Sequence, residues 1–222
     1  MFDYVLPIKT LPYWKKVFKK DKFYYYPNQR DPFFCERYGL EYFTITPKYK
    51  NASSVYVPIA TGCNNFCTYC AVPYTRGREM SRPAGEILCE VKNLVKRGYK
   101  EIWLLGENVN SYINTQRTMN NEQKINFPKL LRMVNAIPGN FWVRFTSSHP
   151  KDLSDELIEV MANCKKVTKY LNLPVQSGDN EILKKMRRLY TVRHYKNLVK
   201  KIRNKIVYLI FFWCFNGFLE LM

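Results

Sequence analysis

The sequence predicts an α/β fold in which strands and helices alternate along most of the chain. Three observations support this prediction. Short apolar runs of strand length recur between Val55 and Val175. Segments with helical periodicity lie between these runs, and typical N-cap residues such as Ser154 and Thr191 stand at helix starts. Because such alternation is typical of parallel βαβ units, we expect either a doubly wound sheet or a (β/α) barrel.

Four strands and five helices are predicted along the chain. The runs VYVPIA, EIWLLG, FWVRFTSS and YLNLPV predict strands at 55–60, 101–106, 141–148 and 170–175. The first helix is predicted at 83–98, where Pro83 suits a first turn and Gly98 suits an end. Further helices are predicted at 127–139, 154–164, 179–188 and 192–205. In either architecture, the functional residues belong at the carboxyl ends of the strands.

Basic residues greatly outnumber acidic ones. Lys and Arg total 36 against 18 Asp and Glu, which gives a net charge of +18. This excess favours a polyanionic partner, nucleic acid before a membrane, and the alternative is a lysine-rich solvated surface. The first twenty residues contain no uninterrupted apolar stretch of the kind found in secretory signals. We therefore expect a reducing, cytoplasmic setting, in which clustered cysteines are metal ligands or redox groups more often than disulfides.

Three of the seven cysteines lie within one short segment, GCNNFCTYC, after the first predicted strand. Cys63, Cys67 and Cys70 have the spacing C-x3-C-x2-C. Three thiolates can hold three corners of an iron–sulfur cube and leave the fourth iron open to a small molecule. The alternative is a zinc site completed by His149 or His194. Neither histidine is close in sequence, and the cysteine spacing is not usual for zinc.

Four segments of the chain together resemble the methylthiotransferases of the radical S-adenosylmethionine (SAM) family. They are VPIATGCNNFCTYCAVPYTRGREMSRP, GYKEIWLLGENVNSY, RFTSSHPKDLSDELI and YLNLPVQSGDNEILKKMRRLYT. The resemblance runs from about Val55 to about Lys205. It favours the MiaB-type branch, which thiomethylates an isopentenylated adenosine beside the tRNA anticodon. The related enzymes that modify a ribosomal protein are the alternative, and the sequence segments NNFCTYC and YTRGRE favour the tRNA branch.

The resemblance implies a partial (β/α) barrel of the radical SAM type, truncated after about four to five βα units. In this family three cysteines, here matched by Cys63, Cys67 and Cys70, hold a 4Fe–4S cluster, and SAM binds the fourth iron. An electron from the cluster breaks a sulfonium bond, and the resulting 5′-deoxyadenosyl radical abstracts hydrogen from the base. The implied partners are tRNA and a reductant such as flavodoxin or ferredoxin. No stable membrane partner is expected.

The resemblance also implies a set of SAM-binding residues near the strand ends. Glu107 and Asn108 match the loop that binds the methionine amino group of SAM. The MiaB-type branch usually has Gln where this chain has Glu107. Gln176 and Ser177 end the fourth strand, where ribose and methionine groups should lie. Arg188 aligns with an arginine that holds the methionine carboxylate. The alternatives are ordinary turns at the first four positions and a solvated basic surface at Arg188.

Other positions close to these segments also bear on the site. Arg76 and Arg78 suit either a contact with the cluster or a phosphate, or an exposed loop paired with Glu79. The run 184–205 contains ten Lys or Arg and no acid. It fits a tRNA-facing stripe or, as we favour, the outer surface of barrel helices. Arg187 stands where the family tends to have Asn, and Asn172 where it tends to have His.

The chain is predicted to have three parts. Residues 1–50 are interpreted as the remnant of an amino-terminal methylthiotransferase domain with its linker, 51–205 as the radical SAM core, and 206–222 as a divergent apolar tail. The family has a second cluster domain before the core and a tRNA-binding TRAM β-barrel after it, and we expect both to be largely missing here. The tail suits a fifth strand with an altered continuation, a marginal membrane anchor or a frameshift product. A catalytic core and a non-catalytic iron–sulfur RNA-binding remnant both remain open.

Overall fold

The structure is a computed structural model that describes Phe43 and residues 53–118, 121–206 and 208–212 of the chain. The interpretation of residues 1–50 as a domain remnant lies outside the described residues, Phe43 apart, and so does that of most of the tail. In the described part, no helix has the length and apolar character needed to cross a membrane.

Strands and helices alternate over the described residues. In chain order the strands are β1 (Ser54–Pro58), β2 (Ala60–Thr61), β3 (Met80–Ser81), β4 (Glu101–Leu105), β5 (Ile113–Thr118), β6 (Asn121–Asn126), β7 (Trp142–Phe145), β8 (Tyr170–Asn172) and β9 (Ile210–Phe212). The helices are α1 (Val72–Thr75), α2 (Ala84–Lys96), α3 (Phe127–Asn135), α4 (Asp155–Asn163), α5 (Asn180–Lys185) and α6 (Val192–Lys205). Single 3-10 turns lie at Val109–Ser111 and Pro150–Asp152.

The main sheet is parallel, and its strands follow the order of the chain. β1, β4 and β7 pair side by side in that order. Val143 in β7 forms a parallel bridge with Val167, just before β8, and β8 pairs in parallel with β9. This parallel sheet with its alternating helices confirms the predicted α/β fold of a partial (β/α) barrel, and the described strands do not close into a complete one. Residues 210–212 of the apolar tail thus form the fifth strand in this parallel order, and the interpretation of the tail as a whole stays a prediction.

Helices cover one face of this sheet and form a single apolar core with it. Alternate strand residues such as Val57, Ile102 and Val143 are fully buried. The buried stripes of α2, α3, α4 and α6 pack against them. This arrangement follows from the two periods, since a strand alternates its faces every residue while a helix repeats every 3.6 residues. Burial of each large aliphatic side chain stabilises the fold by roughly 1.5–3 kcal/mol.

The third and fourth predicted strands end earlier than the sequence predicted, and a residue with left-handed backbone follows within a few positions of each end. β7 ends at Phe145 rather than at residue 148, and Ser147 follows with a φ of +61°. β8 ends at Asn172 rather than at residue 175, and Gln176 has a φ of +70°. A left-handed residue cannot continue a pleated strand.

The predicted helices are present, with small differences at their ends. Ser154 and Thr191 cap α4 and α6 as predicted, through side-chain oxygens that accept from backbone N–H groups. α2 ends before Gly98 as predicted, but Pro83 is its N-cap residue rather than part of its first turn. α3 ends at Asn135 instead of residue 139, since Pro138 has no N–H to donate and disfavours a helical residue before it.

The antiparallel hairpin of β5 and β6 was not predicted. Its strands are polar, so they lack the apolar alternation that identifies a strand in a sequence. The hairpin supplies caps for two helices. Asn114 Oδ1 accepts from the Ala84 N–H at the start of α2, at 3.1 Å. Asn126 Oδ1 accepts from the Lys129 N–H in the first turn of α3, at 3.0 Å.

Candidate metal centre

The cysteine loop, residues 62–70, begins directly after β2. Gly62 opens it with a φ of +77°, and a Cβ at this position would lie 2.2 Å from the carbonyl oxygen of Arg78. Only glycine fits such a position. The backbone N–H of Cys63 then donates to Gly77 O at 3.1 Å. The loop is therefore closed against the segment 76–79, which returns across it.

Cys63 and Cys67 are buried, at 9% and 8% exposure, and Cys70 is half-buried. Asn65 Nδ2 donates to the Cys63 sulfur at 3.6 Å. Burial raises the pKa of the Cys63 thiol. Binding of a metal there must therefore release a proton from this sulfur. The loop thus presents three thiols, two of them shielded from water, at the carboxyl edge of the sheet.

A segment more than 100 residues later holds the other side of the loop. Thr68 N donates to Met186 O at 3.2 Å, and Thr68 Oγ1 donates to Lys185 O at 3.1 Å. Arg188 Nη1 lies 3.3 Å from the Cys67 sulfur. Arg188 is 8% exposed, so its interpretation as part of a solvated basic surface is wrong. The outer-surface interpretation does hold for Lys196 and the other exposed basic residues of α6.

Tyr190 fixes the position of Arg188. Its hydroxyl accepts from Arg188 Nε at 3.3 Å and donates to Val175 O at 2.6 Å. Val175 directly precedes Gln176, so these contacts connect the segment after β8 to the cysteine loop. Tyr190 was not singled out from the sequence, because nothing local in YTVRHY marks it as part of a site.

Glu107 lies in the loop after β4, as predicted, and forms an ion pair with Arg76. Its side chain is 12% exposed. Its second carboxylate oxygen, Oε2, is buried and has no hydrogen-bond partner among the described residues. Glu79 lies close by and accepts from the Ser111 hydroxyl at 2.7 Å; burial raises the pKa of its carboxyl group. Arg76 is thus paired with Glu107 rather than with Glu79.

Asn108 joins the loop after β4 to the loop after β7. It is 3% exposed, and its Nδ2 donates to Asp152 Oδ2 at 2.7 Å. Its Oδ1 is buried without a partner in the described part of the chain, as is the hydroxyl of Ser148. Buried polar atoms of this kind are rare in folded proteins. They are the type of group that a polar ligand satisfies.

His149 is buried between these loops and is uncharged at neutral pH. Burial, reinforced by the nearby charge of Arg188, lowers its pKa to about 4. Its Nδ1 accepts from Lys151 N at 3.2 Å, and its ring packs edge-to-face on Tyr190 at 5.7 Å. His194, the second histidine of the zinc alternative, lies 3.4 Å from Pro150 O. Among the described residues, neither histidine converges with the cysteines on a site for a single metal ion.

Gln176 and Ser177 lie at the turn after β8, where the sequence placed them. Ser177 Oγ accepts from Asp179 N at 3.1 Å, which is ordinary turn chemistry. Gln176 has the left-handed backbone noted above, and Phe66, Ser147 and Arg187 share this conformation. These four are the non-glycine residues with positive φ in the described part of the chain; they lie in the cysteine loop, after β7, after β8 and after α5. Such strain concentrates at functional sites.

The three thiols are the donor set that an iron–sulfur cube takes. Each thiolate of a cube binds a different iron, so the sulfurs surround the cluster rather than meet at one point. Within the described residues, no three His, Cys, Asp or Glu side chains converge as they would around a single ion. The arrangement also includes N–H donors to two of the sulfurs, from Asn65 and Arg188. Hydrogen bonds of this kind are usual around Fe–S ligands.

Comparison with known proteins agrees with this chemistry. A family model described as the Radical SAM superfamily matches residues 57–219. Proteins named tRNA-2-methylthio-N(6)-dimethylallyladenosine synthase from Thermoanaerobacter sp. (strain X514) and Treponema denticola are 54% and 52% identical to this chain, each over 68% of its length. The matched region is 31% and 34% of those proteins, so the chain corresponds to about a third of each relative.

Solved structures show the same fold at low sequence identity. The radical SAM methyltransferase TsrM from Kitasatospora setae, with cobalamin and a [4Fe-4S] cluster bound, superposes with a TM-score of 0.55 at 16% identity. The match covers 72% of this chain and 30% of that one. The cobalamin-dependent radical enzyme OxsB superposes with a TM-score of 0.54 at 12% identity, over 72% of this chain and 23% of that one.

Proposed function

This chain belongs to the radical SAM superfamily, and from that premise we propose that residues 51–205 form the radical-generating core of a tRNA methylthiotransferase. The observation that carries the proposal is the cysteine loop, which offers three thiols and no fourth local ligand at the carboxyl edge of a parallel sheet. Cys63, Cys67 and Cys70 hold a 4Fe–4S cluster. When bound, such a cluster supplies the electron that cleaves SAM reductively.

The residues around the loop bind and orient SAM. Glu107 offers a buried carboxylate oxygen to the methionine ammonium group, as a charge-assisted hydrogen bond. Asn108 offers a buried amide oxygen on the same loop. Gln176 and Ser177 lie at the turn after β8 and meet the ribose or methionine groups. The prediction that Arg188 holds the methionine carboxylate stays a prediction; its guanidinium lies against Cys67 in the described structure.

The substrate class rests on the relatives and on charge. The relatives are named for methylthiolation of N(6)-dimethylallyladenosine in tRNA. The net charge of +18 suits a polyanionic substrate, because phosphate contacts by Lys and Arg release counterions. Exposed Lys and Arg on α6 contribute to this charge. The reaction also needs a one-electron reductant such as flavodoxin or ferredoxin, and it belongs in the cytoplasm, where its tRNA substrate is found.

The proposal is tested with anaerobically reconstituted protein. The chain, dithionite and SAM should yield 5′-deoxyadenosine, measured by chromatography, and Cys67→Ala should abolish it. Cys89→Ala is the matched control, because Cys89 is an exposed cysteine on α2. Filter binding of tRNA with and without dimethylallyladenosine tests the substrate class. A reconstituted chain that binds no iron, or binds iron without cleaving SAM, would contradict the radical core. Cleavage of SAM with no binding of this tRNA would contradict the substrate class.

A further inference from the structure

We propose that Arg188 is a positioning residue for the cluster: its guanidinium anchors the Cys67 sulfur and raises the reduction potential of the bound 4Fe–4S cluster. This inference rests on the proposed function, because it requires Cys67 to be a cluster ligand. It adds a role that the chemistry of SAM binding does not include, namely control of the cluster by a residue 121 positions away in the sequence.

The contact is short, buried and held from both ends. Arg188 Nη1 is 3.3 Å from the Cys67 sulfur, and Arg188 Nε donates to the Tyr190 hydroxyl at 3.3 Å. The guanidinium also lies over the Tyr190 ring, 5.4 Å from its centre. Because the guanidinium is planar and its N–H groups point in fixed directions, these contacts to Tyr190 aim Nη1 at the sulfur.

The backbone brings Arg188 to this place. After α5 ends at Lys185, Arg187 N donates to Lys184 O at 2.9 Å and Arg188 N donates to Leu183 O at 2.8 Å. These two bonds, with Arg187 at a φ of +56°, form a Schellman motif. The motif reverses the chain toward the cysteine loop. The two hydrogen bonds of Thr68 to the carbonyls of Lys185 and Met186 then fix the loop against the turn.

As a cluster ligand, the Cys67 sulfur would be the anionic group that Arg188 meets. In the described part of the chain, no carboxylate forms an ion pair with Arg188, whereas other arginines such as Arg76, Arg82 and Arg144 each pair with a glutamate. A permanent positive charge with little solvent screening favours the more negative, reduced form of a cluster. An N–H bond to a ligand sulfur acts in the same direction, and such bonds tune Fe–S potentials.

The test is an EPR-monitored reductive titration of the anaerobically reconstituted chain and its variants. Arg188→Met removes the charge and the donor, and we expect the reduction equilibrium to weaken about tenfold, which is about 59 mV for one electron. Arg188→Lys keeps the positive charge, so its reduction potential should fall by less than that of Arg188→Met. Lys184→Met is the matched control, since it removes one charge from the exposed surface of α5 and should leave the potential unchanged.

Iron content, circular dichroism and SAM affinity separate the outcomes. Loss of iron from folded Arg188→Met also supports the positioning role. An unchanged potential with full iron content overturns it, and so does a weaker SAM affinity as the variant's only defect, which would make Arg188 a SAM ligand. If Arg188→Met does not fold, Arg188→Lys decides by the same potential measurement. A wild-type chain that binds no iron refutes the proposed function itself, and this result is distinct from every variant-specific one.

Discussion

Arg76 and Glu107 form an ion pair that joins the segment after the cysteine loop to the loop after β4. The pair occupies one carboxylate oxygen of Glu107 and leaves the other buried, with no hydrogen-bond partner among the described residues. An unsatisfied buried acceptor is unfavourable by about 1–3 kcal/mol. A ligand that brings a cationic N–H group to this oxygen would remove that penalty, and the ammonium group of SAM is such a ligand.

Glu107→Ala should weaken SAM binding and leave iron content intact. A charge-assisted hydrogen bond contributes about 1.5–3 kcal/mol, so the Kd measured by calorimetry should rise roughly 10- to 150-fold. Glu107→Gln keeps an acceptor without the charge and should give a smaller effect. Glu159→Ala, on the outer surface of α4, is the control. An unchanged Kd for Glu107→Ala would reject the role, and loss of iron would move Glu107 to the cluster.

Each of the single substitutions Cys63→Ala, Cys67→Ala and Cys70→Ala should abolish the visible absorption of the reconstituted cluster. A cube held by two thiolates loses a corner, whereas the scattered cysteines are not ligands in this assignment. Cys89→Ala and Cys164→Ala should therefore retain the full spectrum and iron content. Equal losses from the scattered cysteines would show that the ligands have been assigned wrongly.

The fold could be predicted because its signals are local. The alternating strands and helices follow from hydrophobic periodicity, and the caps of α4 and α6 follow from Ser154 and Thr191. The β5–β6 hairpin could not be predicted, since its strands are polar and its register depends on tertiary contacts. The left-handed turns at Ser147 and Gln176, beyond the ends of β7 and β8, were also missed, because left-handed backbone at these non-glycine residues reflects the assembled site rather than local preference.

The candidate site also has some features that the sequence predicts and others that it does not. The cysteine spacing and the loop at Glu107 are visible in the sequence. Thr68 contacts the turn after α5, and Arg188 contacts the cysteine loop. Each contact joins residues more than 100 positions apart, so no local sequence pattern predicts it. One signal was available, however. Arg187 stands where the family tends to have Asn, and Asn tolerates the left-handed conformation that this position adopts. That difference pointed to the turn, although not to the burial of the arginine after it.

Replacement of Arg187 should reveal the strain at this turn. Its left-handed backbone is unfavourable by about 1 kcal/mol for a residue with a Cβ. Arg187→Gly should therefore be about 1 kcal/mol more stable to urea unfolding than Arg187→Ala, with Arg187→Asn between them. Arg187→Ala is the matched control, since all three variants lose the contact between the guanidinium and the Phe66 ring at 5.9 Å. Equal stability of the Gly and Ala variants would show that the turn is not strained.

His149 should make stability depend on pH below the neutral range. Burial lowers its pKa to about 4, so between its ordinary pKa of 6.5 and about 4 the unfolded chain binds a proton that the folded chain does not. The unfolding free energy must therefore fall as the pH is lowered through this window, by at most about 3 kcal/mol, and be unaffected above it. His149→Asn keeps an acceptor for the Lys151 N–H and removes the titration.

Urea unfolding from pH 7 to pH 4 should give a flatter profile of unfolding free energy against pH for His149→Asn than for the wild type. His194→Asn, at an exposed position, is the control and should keep the wild-type slope. Identical slopes for His149→Asn and the wild type would mean that the buried imidazole accepts its proton in the folded chain as readily as in the unfolded one, and that another group governs the acid sensitivity.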